Sequence, residues 1–219
     1  MNSAAVLIFA ILFFTNLGIS WYNAKLCGRV WAEAKALGGW PWFLAWCGAV
    51  MAACGFTDCY LILLGSIAHG LGYLPEKYLE LSFKLGYLLT LLPVLGSGLV
   101  IWANSLILAW RERDLKSAGF AAWNTLAMAH NAFDAVTSAP EAFNDLLEAF
   151  ANRKSGGDSD WGKGDTENKL LFLAVLLALF ALFAGVMTTV LIIKAQAGVY
   201  AAEIKQRVKE MQDETGQPA

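Results

Sequence analysis

Charge is what this chain has least of. Lys, Arg, Asp and Glu make up 16% of its 219 residues, where an ordinary soluble domain carries roughly 25%. With a net charge of −2 there is no basic excess to neutralise phosphates, so nucleic acid is excluded as a partner. Histidine is scarce too, with only His69 and His130. The four cysteines, Cys27, Cys47, Cys54 and Cys59, form no C-x-x-C pair and have no histidine at zinc spacing, so no metal is assigned. Three of them lie in an apolar run, where a thiol behaves as a small hydrophobe. Glycine-rich phosphate loops, H-E-x-x-H and G-x-S-x-G are absent as well. No catalytic residue and no cofactor is therefore assigned, and the chain reads as non-enzymatic.

What is present is apolar length. Hydrophobic residues reach 58%, in runs that match a bilayer rather than a water-excluding core. The first run, 4–19, lacks the basic segment that precedes the apolar stretch of a signal peptide and reads as a retained span. An interfacial helix over 25–37 follows, with Leu26, Val30, Trp31, Ala34 and Leu37 at helical spacing. Runs at 40–70 and 81–110 are each about 45 Å long if helical, more than the ~30 Å hydrocarbon core, and the short connector around Pro75 makes them an antiparallel hairpin. Trp21, Trp40, Trp42 and Trp110 mark span ends, where an amphipathic ring favours the headgroup layer.

After Arg111–Asp114 the chain is less apolar. Ser138, Pro140 and Glu141 read as the start of a new helix, a capping box with proline in the first turn. Phe143, Leu146, Leu147 and Phe150 form its apolar stripe, a candidate partner-binding face. Residues 155–166 read as a Gly/Asp/Ser linker. The last run, 170–193, carries no charge and continues as a helix over 199–211 with a polar tail. These divisions give an N-terminal span with its interfacial helix (1–39), a hairpin (40–110), an amphipathic region with linker (111–169) and a C-terminal span with its tail (170–219).

The expected fold is an all-α integral membrane protein of about four transmembrane helices, with cytoplasmic amphipathic helices between the third and fourth. A fifth crossing at 118–137 would bury His130 and Asp134, and the insertion cost of Asp134, roughly 2.5–3.5 kcal/mol, favours four. Lysine and arginine counts do not choose, because either topology leaves ten of the sixteen inside. Short loops point to a multi-pass protein of the bacterial inner membrane.

Two constellations carry the functional reading. Asp58 lies deep in the 40–70 run, and an ionisable group there needs a reason. Counting depth along the hairpin, and along a last span parallel to the second, gathers Thr57, Asp58, Ser97, Thr188 and Thr189 into one polar layer beside Pro93. Separately, small residues make close-packing stripes: Ala45, Gly48, Ala49 and Ala52 on one helix, Ala174, Ala178, Ala181 and Gly185 on another. The reading is a subunit of an oligomeric or multi-protein membrane assembly, whose partners are the lipid bilayer and other membrane subunits or copies of itself. The alternatives are an ion channel or transporter using the Asp58 layer and a bis-histidine haem subunit. In the haem reading the four-span topology puts the two histidines on opposite sides.

Overall fold

A computed structural model of the chain describes the backbone over residues 3–155 and 163–215, with side chains at 7, 10–151 and 166–206. It is all-helical, with no strand among the described residues: α1 (Ser3–Leu37), α2 (Gly39–Gly70), α3 (Glu76–Glu112), α4 (Leu115–Ser155) and α5 (Lys163–Thr215). Three of these helices are long and apolar enough to cross a membrane: α2, α3, and α5 over Thr166–Gln206. The first side chains of the 4–19 run and residues 156–162 of the expected linker lie outside the described residues.

The connections are short and each has a local cause. Gly38 and Gly39 take φ of +63° and +54°, values costly for a residue with a Cβ, so the chain reverses between α1 and α2 almost without a loop. Pro75 sits immediately before α3, where its missing N–H is harmless, and α3 starts at Glu76, five residues ahead of the apolar run. Arg113 ends α3 in the left-handed conformation (φ +53°). Asp114 then caps α4: its carboxylate accepts the Ser117 N–H and the Ser117 hydroxyl, both at 2.6 Å. These bonds hold the exposed Asp114 carboxyl below its ordinary value.

α2 is the hub. Cys59 Sγ donates to the Phe13 carbonyl at 3.7 Å, Ser20 touches Gly55, and Cys27 meets Gly48, so α1 runs antiparallel to it. On another side Leu61 fills the space over Gly86, and Leu79 packs on Gly65, which is the expected hairpin. On a third side α5 runs antiparallel: Gly185 lies on Ala53 and Thr57, Leu177 near Gly65. α1, α3 and α5 thus point one way, α2 and α4 the other.

Four expectations need correction. The interfacial helix at 25–37 is not separate, because nothing between Ile19 and Leu37 breaks a helix and Ser20, Ala24, Cys27 and Ala34 are all buried. α1 is one helix, and Trp21, beside Ser20 opposite mid-α2, is not at a span end. Residues 138–141 do not start a helix either. α4 continues through Pro140, and the Ser138 hydroxyl bonds the Asp134 carboxylate at 2.7 Å instead of capping. Contacts to α3 on both sides of the proline, Tyr87 Oη to the Asp134 carbonyl at 3.1 Å and Lys84 to Asp145, hold the helix on course despite its lost hydrogen bond.

The third correction concerns the amphipathic region. It is not set apart from the spans but folds back along α3, with Trp102 donating to Thr125 at 2.9 Å and Met128 on Gly98. That added antiparallel leg is the physical reason for the fourth: α5 leaves from the opposite end and runs antiparallel, not parallel, to α2.

Candidate functional site

Helical spacing places Asp58 on α2 between the residues that face α3 (Cys47, Leu61, Gly65) and those that face α1 (Gly48, Gly55, Cys59). It is half-buried. Its depth is fixed by its neighbours: Tyr60 Oη and Thr188 Oγ1 lie 2.8 Å apart, and Leu61 packs against Ala178 and Ala181. Those α5 residues are near the middle of the uncharged 170–193 run. The Asp58 carboxylate makes no hydrogen bond and no ion pair among the described residues.

The five residues of the expected layer divide. Thr57 is fully buried and donates to the Ala53 carbonyl at 2.9 Å, opposite Gly185. Thr189, also buried, donates to the Gly185 carbonyl at 2.9 Å. Thr188 joins Tyr60 across the same seam. These three belong to the α2–α5 interface. Thr188 is not level with Asp58: Gly185 is already opposite Ala53 and Thr57, so Thr188 lies about one turn further toward the start of α2 and is reached by the length of the Tyr60 side chain. Ser97 is elsewhere, beside Cys47, eleven positions and about 16 Å of helix rise from Asp58.

The small-residue stripes are used inside the molecule. Gly48 and Ala52 admit α1 through Cys27 and Ala24, while Ala49 packs with Cys27 and Ile193. Ala178 and Ala181 receive Leu61, Gly185 receives Thr57, and Ala174 joins the cluster of Leu74, Tyr78 and Leu81. Ala45 is buried on α2. The aromatic stripe of α4 splits, with Leu146 buried in the Leu74 cluster and Phe143, Leu147 and Phe150 turned outward.

Sequence reasoning missed the orientation of α4. Its buried or half-buried positions include Ser117, Asn124, Asn131, Asp134, Ser138 and Asp145, one helical face directed into the bundle. Leu126 (69% exposed), Phe133 and Val136 (76%) point away from it. Lys84 bridges Glu80 at 2.6 Å and Asp145, and the Asn124 Nδ2 is buried with no hydrogen-bond partner among the described residues. Up to Ser138 this polar row inward, with Leu126, Phe133 and Val136 outward, is the reverse of a water-soluble helix; His130, Glu141, Asn144 and Glu148 are nonetheless exposed, and Ala142 and Leu146 are buried. The signal was present in the spacing of the inward polar residues, seven, ten, fourteen and twenty-one positions after Asn124.

The histidines remain apart. His69 ends α2, with Nδ1 2.9 Å from the Leu74 carbonyl, whereas His130 is exposed in mid-α4, between the levels of Gly98 and Tyr87 on α3. One haem iron cannot take both, even with α4 along the spans. Comparison of the chain with protein families, with curated proteins and with solved structures returns no match.

Proposed function

We propose that this is a five-crossing membrane protein acting as a non-enzymatic subunit of a membrane assembly, with the half-buried Asp58 as its point of attachment to a neighbouring chain. One observation carries the reading: a carboxylate at mid-span depth for which the described residues supply no donor and no cation. Leaving it so in the hydrocarbon costs roughly 2.5–3.5 kcal/mol on insertion scales. A Lys, Arg or hydroxyl donor from a partner helix removes that cost and supplies specificity. The small-residue faces are consumed within the chain, so the surfaces left for partners are the Asp58 side of α2 and the outward face of α4.

The topology follows from the alternating helix directions. Arg29, Lys35, Arg111, Arg113, Lys116 and Lys205 lie toward the end where α1, α3 and α5 finish, with Lys25 and Lys194 on the same side of mid-α2, and the positive-inside rule favours that side as cytoplasmic. α4 serves as the extra crossing. Its Asp134 is compensated by Ser138 and its inner face by α3, which lowers the cost that argued for four spans. The short connections support placement in a bacterial inner membrane.

The test is the size of the gently solubilised complex. The wild-type chain is expected to run well above a monomer in its micelle, and Asp58→Asn is expected to release it while helicity is kept. A wild-type monomer with no companion would overturn the proposal, as would an assembly indifferent to Asp58→Asn. Cation flux in proteoliposomes that depends on Asp58 in an isolated monomer would favour conduction instead.

A further inference from the structure

We infer that the cleft between α2 and α5 is a binding site for one acyl chain of an anionic phospholipid, whose headgroup pairs with Lys194. The cleft has a volume of about 470 Å³ and is lined by Trp31, Trp46, Val50, Val186, Val190 and Lys194, together with small alanines on both helices. Its size falls within the range of roughly 300–1,000 Å³ that holds small molecules. Except for Thr189, whose hydroxyl is already bonded within α5, and Lys194, its walls are apolar. It therefore suits an alkyl chain and offers nothing to a polar solute.

The position of Lys194 gives the site its chemistry. It closes the uncharged 170–193 run, is exposed, and forms no ion pair among the described residues. Beside it the rings of Trp31, Trp42 and Trp46 form a cluster, with Trp31 centroids 4.6 Å from Trp42 and 5.3 Å from Trp46. Tryptophan bodies at a charged rim are what the headgroup layer favours. An amphiphile lying in the cleft would put its tail along Val50, Val186 and Val190 and its polar end at the ammonium. Lys194 also lies on the same side of mid-α2 as Arg29, Lys35 and Lys205, so the occupant that complements it carries a negative headgroup. The site is independent of Asp58, which is on another side of α2.

The experiment is native mass spectrometry of the full-length protein, delipidated in mild detergent and titrated with phosphatidylglycerol or phosphatidylcholine of identical chains. Wild type is expected to retain one phosphatidylglycerol in preference to phosphatidylcholine. A lysine near the membrane surface contributes about 1 kcal/mol toward an anionic lipid, so Lys194→Gln is expected to cut that retention about fivefold, to the phosphatidylcholine level. Val190→Trp, at a half-exposed position that fills the cleft, is expected to abolish retention of both lipids. Circular dichroism identical to wild type would show that both variants fold. Equal retention of the two lipids by wild type would overturn the inference, as would Lys194→Gln behaving as wild type. A co-purified protein cross-linking to position 190 would overturn it too, by showing the cleft to be a protein interface.

Discussion

Gly185→Ala is the sharpest test of how this bundle is held together. An alanine Cβ at 185 would lie 2.5 Å from Thr57 Oγ1 and 2.7 Å from both the Ala53 carbonyl oxygen and the Thr57 amide nitrogen. Two of these atoms are α2 backbone and the third belongs to a fully buried side chain, so no neighbour can turn away. Tolerable contact begins near 3.4 Å, so α5 must retreat by the difference between 3.4 and 2.5 Å, or 0.9 Å. A gap of roughly 0.5–1 Å forfeits about a quarter to a half of a dispersion contact. In a bilayer such contacts are the main attraction between helices.

Overpacking of this kind costs about 1–3 kcal/mol, and the helix propensity of alanine over glycine offsets up to ~1 kcal/mol. The expected net loss is ~1–2 kcal/mol, and more for Gly185→Leu. Reversible unfolding in mixed micelles, followed by circular dichroism, measures it. Gly96→Ala is the control, because nothing lies within 4 Å of a Cβ there; it should be neutral or slightly stabilising. If Gly185→Ala proved as stable as Gly96→Ala, the antiparallel α2–α5 contact described above would be wrong.

Other consequences are equally direct. Since Cys27, Cys47, Cys54 and Cys59 are all buried, the native chain should react little with an impermeant maleimide. In right-side-out vesicles Tyr73→Cys should label and Leu115→Cys should not, and the opposite pattern would reverse the topology. Replacing Lys84 by Gln removes the bridge to Glu80 and Asp145. Hydrogen exchange is expected to rise across the second half of α4, with a stability loss of up to about 1 kcal/mol because both partners are partly solvated. The depressed Asp114 carboxyl contributes stability above the ordinary carboxylate range, near pH 4, and that contribution disappears as the pH falls through its lower folded value. The stability gap between wild type and Asp114→Ala should thus be constant near neutrality and close in acid; a gap unchanged at pH 2 would exclude the cap. Asn124→Leu removes an amide nitrogen without a partner and should be neutral or stabilising, by up to ~1 kcal/mol.

The sequence by itself determined the elements: helices long and apolar enough to cross a bilayer, the turns at Gly38 and Pro75, the small-residue stripes and the position of Asp58 in an apolar run. These are local properties, set by hydropathy, backbone φ preferences and helical spacing within a few turns. Only the tertiary structure decided where α4 goes, and so the direction of α5. The insertion cost of Asp134 argued against a crossing because nothing in the linear chain shows that Ser138 and α3 will share that polar face. Asp58 itself gained no partner from the fold. The threonines that sequence counting gathered around it are spent on the α2–α5 seam, and Ser97 lies at the level of Cys47, because hydroxyls in a helix satisfy their own backbone or the nearest packed neighbour before reaching a carboxylate on another face.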